Sequence, residues 1–182
     1  TCVPLTRFRL LCLWLALFSL SAEGSPDIVM ELKTGLGGRV VSGQTSEIKI
    51  HLFATRPIAG ELEIFDANGI TRLPVQLDEQ REKTLWLPVT AIAYTPIRVR
   101  LITHRGDVIE KELTFEHSNT PLTIIASTIL AGQTLNSHHA PPTITPVILA
   151  AAGLPHTPQA YAGVDAIVID PQSLSSLSQD QY

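Results

Sequence analysis

The chain has 182 residues, 45% of them hydrophobic, with 13 basic against 17 acidic residues and a formal charge of -4. That mild acidity argues against a nucleic-acid partner, which calls for a basic face, and the only two cysteines, Cys2 and Cys12, lie too close to the amino terminus to staple the rest. The length suits one ordinary domain of roughly 100 residues and part of another.

The first element in chain order is a leader. Arg7 and Arg9 precede an apolar stretch from Leu10 to Leu20, and the small residues of SAEGS follow it. This is the layout of a secretory signal peptide, residues 1–24, with cleavage before Ser25. Its apolar core is shorter than the roughly 20 residues a membrane-spanning helix needs, which makes an uncleaved anchor the lesser reading. Cleavage removes both cysteines with Arg7, Arg9 and Glu23, so basic residues fall from 13 to 11, acidic from 17 to 16, and the charge from -4 to -5. Disulfides, thiolate nucleophiles and cysteine-ligated metals are thereby excluded from the exported part.

Residues 25–117 read as an immunoglobulin-like β-sandwich. Period-two alternation is cleanest in SEIKIHLFAT, where Ile48, Ile50 and Leu52 point to a core and Glu47, Lys49 and His51 point to water. DIVMELK, GELEIFD, TRLPVQL, KTLWLPV, PIRVRLIT and VIEKELTFE complete a set of about seven antiparallel strands. Asn68-Gly69 suits a tight hairpin, and Arg105-Gly106-Asp107 a second one, a plainer reading of that tripeptide than receptor recognition. The glycine-rich TGLGG, Gly35 to Gly38, is followed by a strand and not a helix, so it reads as a flexible inter-strand loop and not a phosphate cradle. Trp86 falls on the polar phase of its strand, where it is either a platform for stacking a glycan or the contact for a neighbouring loop or domain.

HSNTP breaks the alternation, and residues 118–121 read as a linker. From 122 to 182 the runs LTIIAS and VDAIVID are short and β-branched without alternation, as in strands buried on both faces, while ITPVILAAAG between them fits a buried strand or a short helix. The class expected is the start of an α/β domain with a parallel sheet, truncated by the end of the chain, where Ser178 and Gln181 form a capping-box pattern. Ligands of such sheets sit beyond the carboxyl ends of the strands, which nominates Ser127, Thr128 and Asp170 for a ligand crevice. Asp170, followed by Pro171, also suits the amino-terminal cap of one helical turn, the favoured of its two roles. His138-His139, with His156 further on, form the only cluster with metal-ligand chemistry, and they read as surface-loop histidines. No G-x-S-x-G elbow is present, so no catalytic residue, cofactor site or metal site is assigned. A complete sandwich should fold alone, with the tail only half ordered.

GRVVSGQTSEIKIHLFATRPIAGELEI, LPVQLDEQREKTLWLPV, IRVRLITHRGDVI and LPHTPQAYAGVDAIVID together resemble a group of exported bacterial envelope proteins of unknown function. The similarity is carried by Gly38 and Gly43, by the strand ladder, and by Leu154, Pro155, Tyr161, Gly163 and Asp165. It implies a β-sandwich followed by a domain similar to class I glutamine amidotransferases, with a membrane anchor further along the chain. The nucleophilic cysteine of true amidotransferases would fall past Tyr182, and the fold alone does not imply the activity. The expected function is a non-catalytic envelope protein, its sandwich a spacer or interaction module and its α/β part a sensing or binding domain. The alternative is an exported hydrolase or carbohydrate-active enzyme. Other envelope proteins are the expected partners, with a glycan at Trp86 as the second candidate.

Overall fold

The computed structural model describes residues 27–127, 129–130 and 145–177. The leader, Thr128, His138-His139 and the Ser178–Gln181 pattern therefore lie outside the described residues.

All seven expected strands are present: Ile28–Thr34 (β1), Thr45–Ala54 (β3), Ile58–Asp66 (β4), Gly69–Leu77 (β5), Arg81–Thr90 (β6), Ile97–Thr103 (β7) and Val108–Leu113 (β8). The short Arg39–Val41 (β2) and Glu116–Ser118 (β9) were not anticipated. Antiparallel pairing gives a three-stranded sheet, β1-β3-β6, and a four-stranded one, β5-β4-β7-β8. Alternate residues of both sheets meet in one apolar cluster that includes Met30, Ile48, Ile50, Leu52, Leu62, Ile64, Val75, Val89, Val99 and Leu101. Two sheets sharing one dry face make a β-sandwich, the arrangement that hides the apolar side of each.

The hairpins follow their turn residues with one shift. Asp66 pairs with Gly69, so the loop of the first hairpin is Ala67-Asn68 and Gly69 opens β5. Asp66 Oδ1 accepts the Asn68 N–H at 2.8 Å, and Gly69 takes the positive φ of 126° that a side chain resists. In the second hairpin, Gly106 N–H donates to Thr103 O at 2.9 Å, and the Asp107 N–H donates to Thr103 Oγ1 at 3.0 Å. Across the outer face of the four-stranded sheet, opposite charges stand in register. Glu63 lies 2.9 Å from Arg72 and 3.6 Å from Arg100, and Arg100 lies 2.7 Å from Glu110.

The remaining strands are Leu122–Ala126 (β10), Thr145–Leu149 (β11) and Val164–Ile169 (β12). They form a parallel sheet in the order β11-β10-β12. Its apolar cluster joins Leu122, Ile124, Ala126, Val147, Leu149 and Leu154 to Leu36, which comes from the stretch between β1 and β2. The ambiguous ITPVILAAAG resolves into β11 followed by a 3-10 turn, Ala151–Gly153. A second 3-10 turn, Pro158–Tyr161, precedes β12, and a one-turn helix, Pro171–Leu174 (α1), follows it. These are short pieces and not the covering helical layers of an α/β domain. Among the described residues no helix is long and apolar enough to cross a membrane.

One expectation for this sheet is corrected. The run of β12 reads as a strand buried on both faces, which belongs inside a sheet, yet among the described residues it pairs only with β10 and lies at an edge. Ile167 is 45% exposed and Val168 56% exposed. Their side chains leave opposite faces of the strand, so neither face is covered there. Apolar composition records what a strand is suited to be covered by, and α1 alone is too short to supply that cover.

Candidate functional site

The parallel sheet brings two of the nominated residues together. Ser127 follows β10 and Asp170 follows β12, and the adjacent strand ends are tied by Asp170 N–H to Ala126 O at 3.3 Å and Ser127 N–H to Leu149 O at 2.9 Å. Both side chains are engaged with main chain. Asp170 Oδ1 accepts the Ser173 N–H at 2.6 Å as the cap of α1, with Pro171 at its first position. That backbone N–H, then the Ser127 hydroxyl, holds the Asp170 carboxyl below the usual carboxylate range. Ser127 Oγ accepts the N–H groups of Ile129 at 3.3 Å and Leu130 at 3.2 Å. Thr128, the third nominated residue, lies outside the described residues.

A second constellation lies where the sandwich meets the parallel sheet. Glu47, expected on the wet face of β3, is 0% exposed. The backbone N–H of His156 donates to its Oε1 and Oε2 at 3.1 and 3.0 Å, and that of Thr157 donates to Oε2 at 2.9 Å. His156 Nδ1 lies 3.4 Å from Oε1. The correction has a simple cause. The segment leading into the Pro158–Tyr161 turn lies over this part of the outer face, so Ser46, Glu47 and Ile48 are buried in succession and alternation fails at the start of β3.

Trp86 lies on the same face, opposite Lys49 in the β3–β6 register. Its ring stacks on His156 with centroids 4.1 Å apart and planes 25° from parallel, and Lys49 Nζ stands 4.9 Å from the ring centre. Of the two sequence readings of Trp86, the structure supplies the neighbouring segment as the contact. A sugar seeking the face that His156 covers would have to displace the imidazole.

Three further contacts fasten the junction. Leu36, with a left-handed φ of 48°, is 1% exposed inside the apolar cluster of the parallel sheet. Gly35 N–H donates to Glu47 O at 2.7 Å, and a Cβ on Gly35 would meet that oxygen at 2.9 Å. TGLGG is therefore an arm carrying Leu36 across, and not a slack loop. Tyr161 donates its hydroxyl to Pro155 O at 3.0 Å, and burial, then the Glu47 charge, raises its phenol above the ordinary value. The residues read as a linker are also fixed: Ser118 donates to Thr120 O at 2.7 Å, and Thr145 Oγ1 lies 2.8 Å from Ser118 Oγ and 2.6 Å from Thr120 Oγ1.

No group of three or more metal-ligating side chains occurs among the described residues. Sequence reasoning missed Glu47, and its one signal was indirect: Trp86 on the polar phase of β6 marked that face as covered. The adjacent strand ends that carry Ser127 and Asp170, in contrast, were legible from the sequence.

No protein-family model matches the chain, and no curated protein matches it. Among solved structures, the chain is similar to the CARDB domain of a Pyrococcus furiosus protein in complex with di-metal ions, at 14% identity and a TM-score of 0.36 over 50% of this chain and 89% of that one. It is also similar to a carbohydrate acetylesterase from Xanthomonas citri, at 13% identity and a TM-score of 0.31 over 56% of this chain and 22% of that one.

Proposed function

We propose that the chain is a non-catalytic, exported cell-envelope protein in which an immunoglobulin-like sandwich serves as interaction module and platform for an amidotransferase-like binding or sensing domain. The observation that carries the reading is the state of the crevice. Ser127 Oγ receives two backbone N–H groups, and Asp170 is committed as a helix cap and favours its ionised form. The Ser127 hydroxyl has the Asp170 carboxylate as a partner, but a carboxylate held below its usual range is a weak base for activating a hydroxyl and a poor proton donor near neutral pH. Both groups instead fix the strand ends, a role that suits holding a ligand and not transforming it.

The sandwich half rests on the strand order, β1-β3-β6 against β5-β4-β7-β8, which suits an immunoglobulin-like arrangement. The α/β half rests on three parallel strands and an Asp-capped helix beginning after the last. Export rests on the leader, with other envelope proteins as partners. The test is a turnover screen of the purified chain with glutamine, acyl esters and aryl glycosides, paired with leader processing followed by mass spectrometry. No turnover and an amino terminus at Ser25 are expected. Turnover lost on Ser127→Ala would overturn the non-catalytic reading, and retention of the leader in the cytoplasm would overturn export.

A further inference from the structure

We propose a binding site for a neutral, diol-bearing ligand, a single sugar residue, in the cleft between the β4–β5 hairpin and the Pro158–Tyr161 turn. The inference deepens the interaction-module reading of the sandwich and rests on it. The cleft measures about 290 Å³, and the sandwich supplies Thr45, Asp66, Asn68, Thr71 and Thr90 to its lining while the turn supplies Gln159. That is near the lower end of small-molecule pockets, enough for one ring.

The donors and acceptors decide the ligand class. Asp66 is held rigid from both ends, its Oδ1 by the Asn68 N–H at 2.8 Å and its Oδ2 by the Thr90 N–H at 2.9 Å, which leaves each oxygen capacity for one more donor. Asn68 Nδ2 donates to Thr90 Oγ1 at 2.8 Å, and this fixes the amide so that its carbonyl oxygen is a second open acceptor. Neither the Gln159 amide nor the Thr71 hydroxyl makes a side-chain hydrogen bond among the described residues, so both can donate or accept. No Lys, Arg or His lines the cleft, so an anion would meet a carboxylate with nothing to offset it. A metal ion would find one carboxylate already bonded at both oxygens. An alkylammonium would engage Asp66 and leave the two amides and the hydroxyl unused. Adjacent hydroxyls match the set: one donates to Asp66 and its neighbour to Asn68, while Gln159 and the second N–H of Asn68 donate back. Ile70, 53% exposed, and Pro88 offer an apolar wall for the C–H face of a ring.

The two walls come from opposite sides of the junction, since Gln159 lies two residues beyond Thr157, whose N–H is held by Glu47. A ligand here would touch the sandwich and the segment docked on it at once. The probe is a titration of the full chain with glucose, galactose, mannose and N-acetylglucosamine, followed by amide NMR. At least one sugar should shift Asn68, Gly69, Thr71, Thr90 and Gln159 together. Gln159→Ala and Thr71→Val, which remove no internal hydrogen bond, should each weaken it by about threefold to tenfold, the worth of one neutral hydrogen bond. The site is refuted if no sugar shifts these amides, if the shifts fall elsewhere, if both variants bind as tightly as the parent, or if ethylammonium shifts them and the sugars do not. Such a failure would leave the non-catalytic reading standing, because that reading is decided by turnover.

Discussion

Replacing Glu47 by alanine isolates the junction. Its carboxylate is 0% exposed and accepts the N–H groups of His156 and Thr157 at 2.9 to 3.1 Å. Removing it strands two partly buried donors, each at a cost of about 1–3 kcal/mol, the range for a lost partner. The desolvation penalty of the carboxylate is also relieved, which offsets part of that cost, so the net loss is placed at about 2–4 kcal/mol. Because the donors belong to the segment before the Pro158–Tyr161 turn, the loss should appear there first. Hydrogen exchange reads such local opening directly. At 1.36 kcal/mol per tenfold, exchange of the His156 and Thr157 amides should quicken by roughly 30-fold to 800-fold in Glu47→Ala, while Leu62 and Val99 in the sandwich core keep their protection. Glu47→Gln should fall between, since it keeps one acceptor oxygen and turns an NH2 group toward the donors. Unchanged exchange at His156 and Thr157 would refute the reasoning, and an equal loss at Leu62 and Val99 would show that Glu47 supports the sandwich and not the junction.

A Cβ at Gly60 would lie 2.3 Å from Ile102 O, where β4 and β7 pass backbone to backbone; Gly60→Ala should cost about 3 kcal/mol or more, and an unmoved urea midpoint would contradict the packing. In a chain starting at Ser25, Trp86 is the only tryptophan, so His156→Ala, by uncovering the face stacked at 4.1 Å, should increase acrylamide quenching of its emission, whereas unchanged quenching would remove the stack. Burial, then Glu47, raises the Tyr161 phenol above 10.0, so its contribution is fully present below the unfolded value and is lost as pH rises through the folded one. Stability should therefore decline in alkali with a component missing in Tyr161→Phe; identical alkaline profiles would exclude it.

The sandwich was legible because its information is local. Ile48, Ile50, Leu52 and Ala54 repeat at period two and all lie in the core, and Asn68-Gly69 and Arg105-Gly106-Asp107 mark the two hairpins. The loop register slipped by one residue because Asp66 supplies the acceptor that fixes Asn68 inside the turn, a contact that no turn rule reads. β12 failed for another reason. Val164 to Ile169 satisfies the composition of a strand buried on both faces, but burial depends on what lies alongside, and α1 and β10 leave Ile167 and Val168 open. The neighbouring positions of Ser127 and Asp170 were legible because parallel strand ends converge whatever covers the sheet.

The junction was hidden by the kind of chemistry that makes it. Glu47 obeys the alternation and stands where a solvated side chain would stand, so period two assigns it to water. Its partners are the main-chain N–H groups of His156 and Thr157, and every residue except proline carries that group. Of the side chains at 156 and 157, only the His156 imidazole, 3.4 Å from Oε1, adds a trace of the contact to the sequence. The main-chain bonding sets an asymmetry that saturation mutagenesis can test with junction-amide exchange as readout. At position 47 only a residue with a carboxylate of matching reach should restore parent exchange. At Thr157, whose Oγ1 is buried without a hydrogen-bond partner, small residues such as Ala or Val should be accepted while Pro, which lacks the N–H, should not. Tolerance of Pro at 157 would mean that the Thr157 N–H does not help to hold the Glu47 carboxylate, and that part of the account of its burial would fail.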